Sequence, residues 1–202
     1  FVAYSLPFAT QRAPAFGVVI ADFDRDGAED LFIAQNFFAT PEGVSRHDAG
    51  RGELLLGNGE GGFLRLDATH SGIAIYGDAR GAAIADYDAD GRWDLAVGQN
   101  GDEVVIFEGD GGEPGLRVRL VGTGLNPEAV GASVRIAYDS GWGPLREIQA
   151  GSGYWSKNDV VQVFGLRASV KSLRVRWPGG SEETYDVRPN TREIVVRPGD
   201  GR

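Results

Sequence analysis

The strongest constraint on the fold is a duplication. FGVVIADFDRDGAEDLFIAQN (16–36) returns, without a gap, as RGAAIADYDADGRWDLAVGQN (80–100). Each copy is a short apolar run, an acidic loop and a second apolar run closed by Gln-Asn. The runs VVIAD, LFIAQN, AAIAD and LAVGQN are too short for helices and match buried strands bounded by turn residues. A unit of this kind cannot bury its apolar faces alone and must pack against its copy. After the first copy, GELLLGN (52–58) and FLRLDA (63–68) add two strands joined by a Gly-rich turn. One repeat thus supplies about four strands in some 60 residues, the size of a propeller blade. The second copy continues into EVVIFEG (103–109), and its fourth strand is less clearly marked than that of the first.

The acidic loops DFDRDGAED (22–30) and DYDADGRWD (86–94) have the spacing of an oxygen cage. Asp22, Asp24, Asp26 and Asp30 stand at loop positions 1, 3, 5 and 9, and Ala28 at position 7 offers its carbonyl. Asp86, Asp88, Asp90 and Asp94 repeat the pattern, with the Arg92 carbonyl at position 7. Gly27 and Gly91 at position 6 allow the sharp turn. Alternate spacing lets every second side chain point inward, and hard oxygen donors in this number suit Ca2+, which takes six to eight, better than Mg2+. An EF-hand would require Glu at position 12. Ile33 and Val97 stand there, inside apolar strands, so the expected site is strand–loop–strand. An Asp-Gly hairpin turn is the simpler alternative, but the duplication in register argues against it. Neighbouring carboxylates ~4 Å apart repel by about 1 kcal/mol even in water, and a cation converts that repulsion into cohesion. Two structural calcium ions are expected.

Charge and composition narrow the partners. The formal net charge is −9. The loop aspartates account for most of it, and no basic patch exists, which argues against nucleic acid or an anionic membrane. No apolar run is long enough for a membrane-spanning helix. There is no cysteine, so neither disulfides nor thiolate metal sites enter. Gly is abundant, at 31 residues, as expected for many turns.

GDGGEPG (109–115) marks a boundary, dividing the chain into 1–112 and 113–202. Beyond it the runs alternate. In LRVRLVG (116–122), Leu116, Val118 and Leu120 share a face opposite Arg117 and Arg119. In SLRVRWP (172–178), Leu173, Val175 and Trp177 lie opposite Arg174 and Arg176. With ASVRIAYD, PLREIQA, VVQVFGL, EETYDV and REIVVR they give seven strands, expected to form an antiparallel β-sandwich with one wet face per sheet.

The pattern of apolar strand, DxDxDGxxD and apolar strand, followed by GNGEGGF (57–63), resembles the FG-GAP/VCBS repeat of integrin-like β-propellers. LRVRLVGTGLNPEAVGASVRI (116–136), GSGYWSKN (151–158), VFGL (163–166) and VRWPGGS (175–181) resemble the ASPIC/UnbV domain. The tandem order is that of the cartilage-acidic-protein-like family. The resemblance implies an all-β chain, a partial β-propeller of two calcium-binding blades followed by a β-sandwich. It further implies an extracellular or periplasmic setting, a role in adhesion, interaction or scaffolding, and no catalytic residues. Two blades cannot close a ring. Further blades are therefore expected before Phe1 in a longer polypeptide, or a protein partner to cover the open faces.

Other signals are weaker. Gly57, Gly59 and Gly62 fit GxGxxG, yet FLRLDA alternates as a strand where a dinucleotide site needs a helix. His47 and His70 are the only histidines and lack a metal-ligand pattern. Ser152 lacks the nucleophile-elbow setting. The insertion 37–51 carries Arg46, His47 and Asp48, and a Gly-rich loop presents Tyr154 and Trp155. These five residues are candidate ligand or partner contacts, with carbohydrate as a further partner class, whereas Trp177 is expected in the core.

Overall fold

The computed structural model describes residues 3–166 and 169–201. Strands β1 (Ala15–Ala21), β2 (Asp30–Gln35), β3 (Glu53–Gly57) and β4 (Phe63–Leu66) form an antiparallel meander in sequence order. Strands β5 (Ala79–Ala85), β6 (Asp94–Gln99) and β7 (Val105–Phe107) form the second repeat's sheet, with three strands. The registers match: Ala21 pairs with Asp30 across the first acidic loop, and Ala85 with Asp94 across the second. Helix among the described residues is limited to single turns at Phe8–Gln11 and Ala68–Ser71. The second is capped by Asp67, which accepts from the backbone N–H groups of Thr69 and His70.

The remainder contains β8 (Leu116–Leu120), β9 (Ser133–Tyr138), β10 (Gly141–Glu147), β11 (Gln162–Phe164), β12 (Val170–Arg176), β13 (Glu182–Asp186) and β14 (Glu193–Val196). They make two sheets, ordered β10-β9-β12-β13 and β11-β8-β14. The chain is all-β, and these two sheets enclose one core as in a sandwich. Leu116, Val118, Leu120, Leu173, Val175 and Trp177 all lie in that core, as their alternation requires.

Three expectations are amended. The sandwich is not wholly antiparallel, because β14 runs parallel to β8, from Glu193↔Arg117 to Val196↔Leu120. The chain leaves β13 in one sheet and returns in the other, so β14 meets β8 without a hairpin. Strand β10 begins earlier than PLREIQA and shifts register between Trp142 and Leu145. Pro144 lies in that interval and has no N–H to give, and β10 is an edge strand, where proline is tolerated. Finally, β1 is buried on one face only. Val19 and Ala21 are covered, whereas Val18 and Ile20 are 42% and 58% exposed.

A second core lies between the two repeat sheets and includes Val19, Phe32, Leu54, Ala82, Trp93, Leu95 and Val97. Strand β11 links the two cores: Val163 packs into the repeat core and Phe164 into the sandwich core. Arg146 fastens the same junction. Its Nε lies 2.8 Å from Glu29 Oε1, and its Nη1 donates to the Val163 carbonyl.

Candidate metal centre

Both acidic loops fold alike. Position 4 is left-handed in each, at Arg25 (φ 60°) and Ala89 (φ 64°), and Gly27 (φ 85°) and Gly91 (φ 84°) follow at position 6. The first aspartate accepts from the position-6 N–H, with Gly27 N to Asp22 Oδ2 and Gly91 N to Asp86 Oδ2 at 3.0 and 3.1 Å. Asp24 and Asp88 each accept from the residue two further on, at 3.0 and 3.1 Å. Asp30 and Asp94 accept from Phe23 and Tyr87, at 2.7 and 3.0 Å. The duplication is therefore one of hydrogen bonding as well as of sequence.

Carboxylate oxygens of Asp22, Asp24 and Asp30 lie within 4.8 Å of one another, and so do those of Asp86, Asp88 and Asp94. Asp26 and Asp90 stand outside these two groups. Each turns an Oδ1 to the N–H of position 7, with Ala28 N at 2.7 Å and Arg92 N at 2.8 Å. Asp90 Oδ2 also meets Arg92 Nη1 at 2.6 Å. Ala28 is buried, and the Arg92 side chain donates to the carbonyls of Gly111 and Gly112.

Asp22 is 1% exposed and Asp86 3%, and Oδ1 of each has no hydrogen-bond partner among the described residues. A buried oxygen without a partner is costly, and here the same atom is left over in both loops, beside two more carboxylates. Burial, the largest influence, pushes the Asp22 carboxyl up to about 7. The Arg146 guanidinium opposes this, and Asp30 and Glu29 add to it. Burial likewise raises Asp30 to about 6 and raises Asp94, against hydrogen bonds from Gly57 and Gly109. These sites resist negative charge on their own and accept it readily beside a cation. The donor set is all oxygen, which fits calcium. Asp22, Asp24 and Asp30 would hold one ion and Asp86, Asp88 and Asp94 the other. Asp26, Asp90 and the carbonyls of Ala28 and Arg92 are within the same turns.

Four further residues support the loops. Gly57 ends β3 and Gly109 lies two residues beyond β7, and they donate to Asp30 Oδ1 and Asp94 Oδ1 at 2.8 and 2.9 Å. A Cβ at Gly57 would overlap the Glu29 carbonyl, and one at Gly109 the Trp93 carbonyl. The shared ending of LLLGN and IFEGD was the available signal. Gly57→Ala and Gly109→Ala are each expected to cost about 1–3 kcal/mol, because the obstructing atoms are backbone. Thermal melts check this, and an unchanged melting temperature would contradict the close approach. The other two are Arg117, whose Nε is 2.7 Å from Asp86 Oδ2, and Arg146 near Asp22. Arg117 was expected on a wet face, but its side chain is 13% exposed because that face packs on the second loop.

Of the remaining candidates, His47 and Tyr154 adjoin an aromatic group around Arg80. Its guanidinium lies 3.9 Å from the Phe16 ring centre and 5.0 Å from that of Phe37, and it pairs with Asp78 at 2.8 Å. Phe37 forms a β-bridge with His47. Tyr154 meets Phe16 edge-on at 5.7 Å, and Trp155 follows, 92% exposed. Arg46 lies over Phe38 and 3.7 Å from Asp48. Phe16 and Phe37 thus connect the insertion to the Tyr154–Trp155 loop.

Fold and site together define an all-β chain with a duplicated acidic-loop unit ahead of a sandwich. Residues 122–202 match the family model described as ASPIC and UnbV. Over its length the chain is similar to cartilage acidic protein 1. It is 30% identical to the Xenopus tropicalis protein over 191 residues, covering 89% of this chain and 28% of that protein. It is 27% and 26% identical to the Mus musculus and Homo sapiens proteins over 198 residues, 94% of this chain and 29% of each. The chain therefore spans less than a third of these curated relatives.

Proposed function

We propose that the chain is part of an extracellular or periplasmic calcium-binding protein that serves in adhesion or assembly and does no catalysis. Residues 1–112 act as two FG-GAP/VCBS-type blades of a longer propeller, and 113–202 as an ASPIC/UnbV sandwich docked on them. The observation that carries this reading is the pair of identically hydrogen-bonded acidic loops, each with a buried oxygen on its first aspartate that has no hydrogen-bond partner among the described residues. The ions are structural: each ties together the ends of two strands. Extracellular modules of this type bind calcium at about 10⁻⁴–10⁻³ M, a range suited to the outside of a cell, and the relatives' name, with its reference to cartilage, agrees. No helix among the described residues is long and apolar enough to cross a membrane. Ile106 in edge strand β7 and Val104 just before it, 58% and 66% exposed, suit cover by a further blade or a protein partner.

Calorimetric titration tests the reading. The chain is expected to bind two calcium ions. Asp24→Ala and Asp88→Ala should each remove one, and both positions are exposed, so the variants keep their fold. Two ions still bound by either variant would refute the ligand assignment.

A further inference from the structure

The second repeat sheet is one strand short because the segment in its fourth-strand position is used elsewhere. In the first repeat, β4 opens at Phe63, six residues after Gly57. Six residues after Gly109, the counterpart of Gly57, stands Gly115, and β8 begins at Leu116. That strand belongs to the sandwich, between β11 and β14. Strand β7 therefore pairs with β6 on one side and, among the described residues, with no strand on the other. Every second residue of such an edge points its N–H and C=O outward, free to pair with another strand.

The edge is short, but EVVIFEG (103–109) carries no proline, lysine or bulge to block pairing. Val104 and Ile106 share its exposed face, beside a cleft of about 380 Å³ that Ala85, Tyr87 and Ala96 also line. The charges around it are mostly of one sign. Glu103 and Glu108 flank the strand and are both exposed, and Glu108 accepts from the Tyr87 hydroxyl. Asp94 and Asp159 line the cleft, and Lys157, which lines it too, is already bound to Glu128 at 2.7 Å.

We propose that β7 receives an extended, basic segment of a partner protein as the fourth strand of this sheet. Main-chain hydrogen bonds hold the segment, and its alternate apolar side chains lie along Val104 and Ile106. A second copy of this chain is disfavoured by charge. Antiparallel pairing of the edge with itself, centred between Val105 and Ile106, sets Glu103 opposite Glu108 at both ends, and like charges directly opposite destabilise. A strand with Arg or Lys at each end is attracted at the same two places. The inference specifies the partner of the assembly role proposed above and rests on that reading, but it draws on the open edge and its charges and not on the bound ions.

The test is NMR titration of the whole isotope-labelled chain, in millimolar calcium, with three peptides up to millimolar concentration. GRVTVTRG spaces its arginines as Glu103 and Glu108 are spaced. GEVTVTEG reverses the charge, and the third peptide is GRVTVTRG with its valine and threonine nitrogens methylated. GRVTVTRG is expected to bind, to shift the amide signals of residues 103–108 and to slow their hydrogen exchange. The acidic and methylated peptides should bind about tenfold or more weakly. The double variant Glu103→Lys, Glu108→Lys changes exposed positions, should melt like the parent and should prefer GEVTVTEG. Absence of GRVTVTRG binding overturns the proposal, as do signals that shift only elsewhere on the chain or equal binding of the methylated peptide. So does a folded double variant that still prefers GRVTVTRG, or self-association of the chain through residues 103–108. Two bound ions without peptide binding would sink this inference alone, and peptide binding without bound ions would sink only the calcium assignment.

Discussion

Chelating calcium is expected to lower the melting temperature by roughly 5–20 °C at neutral pH, since two sites contribute about 1–3 kcal/mol each at millimolar calcium and a chain of this size shifts about 2–4 °C per kcal/mol. The difference between calcium-loaded and chelated protein should also depend on pH, in a direction fixed by the loops. Asp22 and Asp30 are raised to about 7 and about 6 in the calcium-free fold. A carboxyl whose folded value is raised contributes stability that is fully present below its unfolded value near 4 and is lost as pH rises through its folded value. The calcium-free chain should therefore weaken between about pH 4 and pH 7. A bound ion holds the same carboxylates ionised and removes that loss, so the calcium-induced shift widens over the same interval. Proton release on calcium binding near pH 6 follows from the same linkage. Melts across pH in calcium and in chelator check both points. A shift that is absent, or that narrows as pH rises, would contradict cations on these aspartates.

The loop aspartates were legible in the sequence because their arrangement is local. Alternate spacing, a glycine at position 6 and flanking strands determine which oxygens converge, and duplication removes the ambiguity of a single Asp-Gly turn. Even so, the grouping of positions 1, 3 and 9 apart from position 5 needed coordinates: the Asp26 and Asp90 side chains are taken up by N–H groups two residues away. Strand alternation likewise placed Leu173, Val175 and Trp177 correctly. What alternation cannot say is whether a polar face meets water or another unit. Arg117 and Arg119 occupy equivalent positions on β8, yet Arg117 is covered by a loop 31 residues earlier and Arg119 is exposed. Arg146 reaches Glu29 across 117 residues. The parallel pairing of β14 with β8 is hidden for the same reason, since no turn adjacent to either strand specifies it.

Arg117 also makes the sharpest test of what fills the second loop. Its guanidinium binds Asp86 Oδ2 at 2.7 Å and Glu193 at 2.9 Å, with the Asp86 side chain wholly buried. In calcium-free buffer it is a cation facing that carboxylate, and Arg117→Leu leaves a buried charge uncompensated, at a cost of about 3–5 kcal/mol. Arg119→Leu, on the same strand but exposed, should change stability by less than about 0.5 kcal/mol. Calcium alters the comparison. An ion on Asp86, Asp88 and Asp94 answers the same carboxylate and repels the guanidinium, so calcium and Arg117 partly substitute for each other. Linkage then requires that removing Arg117 increase the stabilisation gained from calcium. The expected result is a large loss for Arg117→Leu in chelator, a smaller one in millimolar calcium, and a calcium-induced rise in melting temperature greater than that of the parent chain. An equal rise in both proteins would mean that no cation shares Asp86 with Arg117, and the guanidinium alone would then be the counter-charge of the second loop.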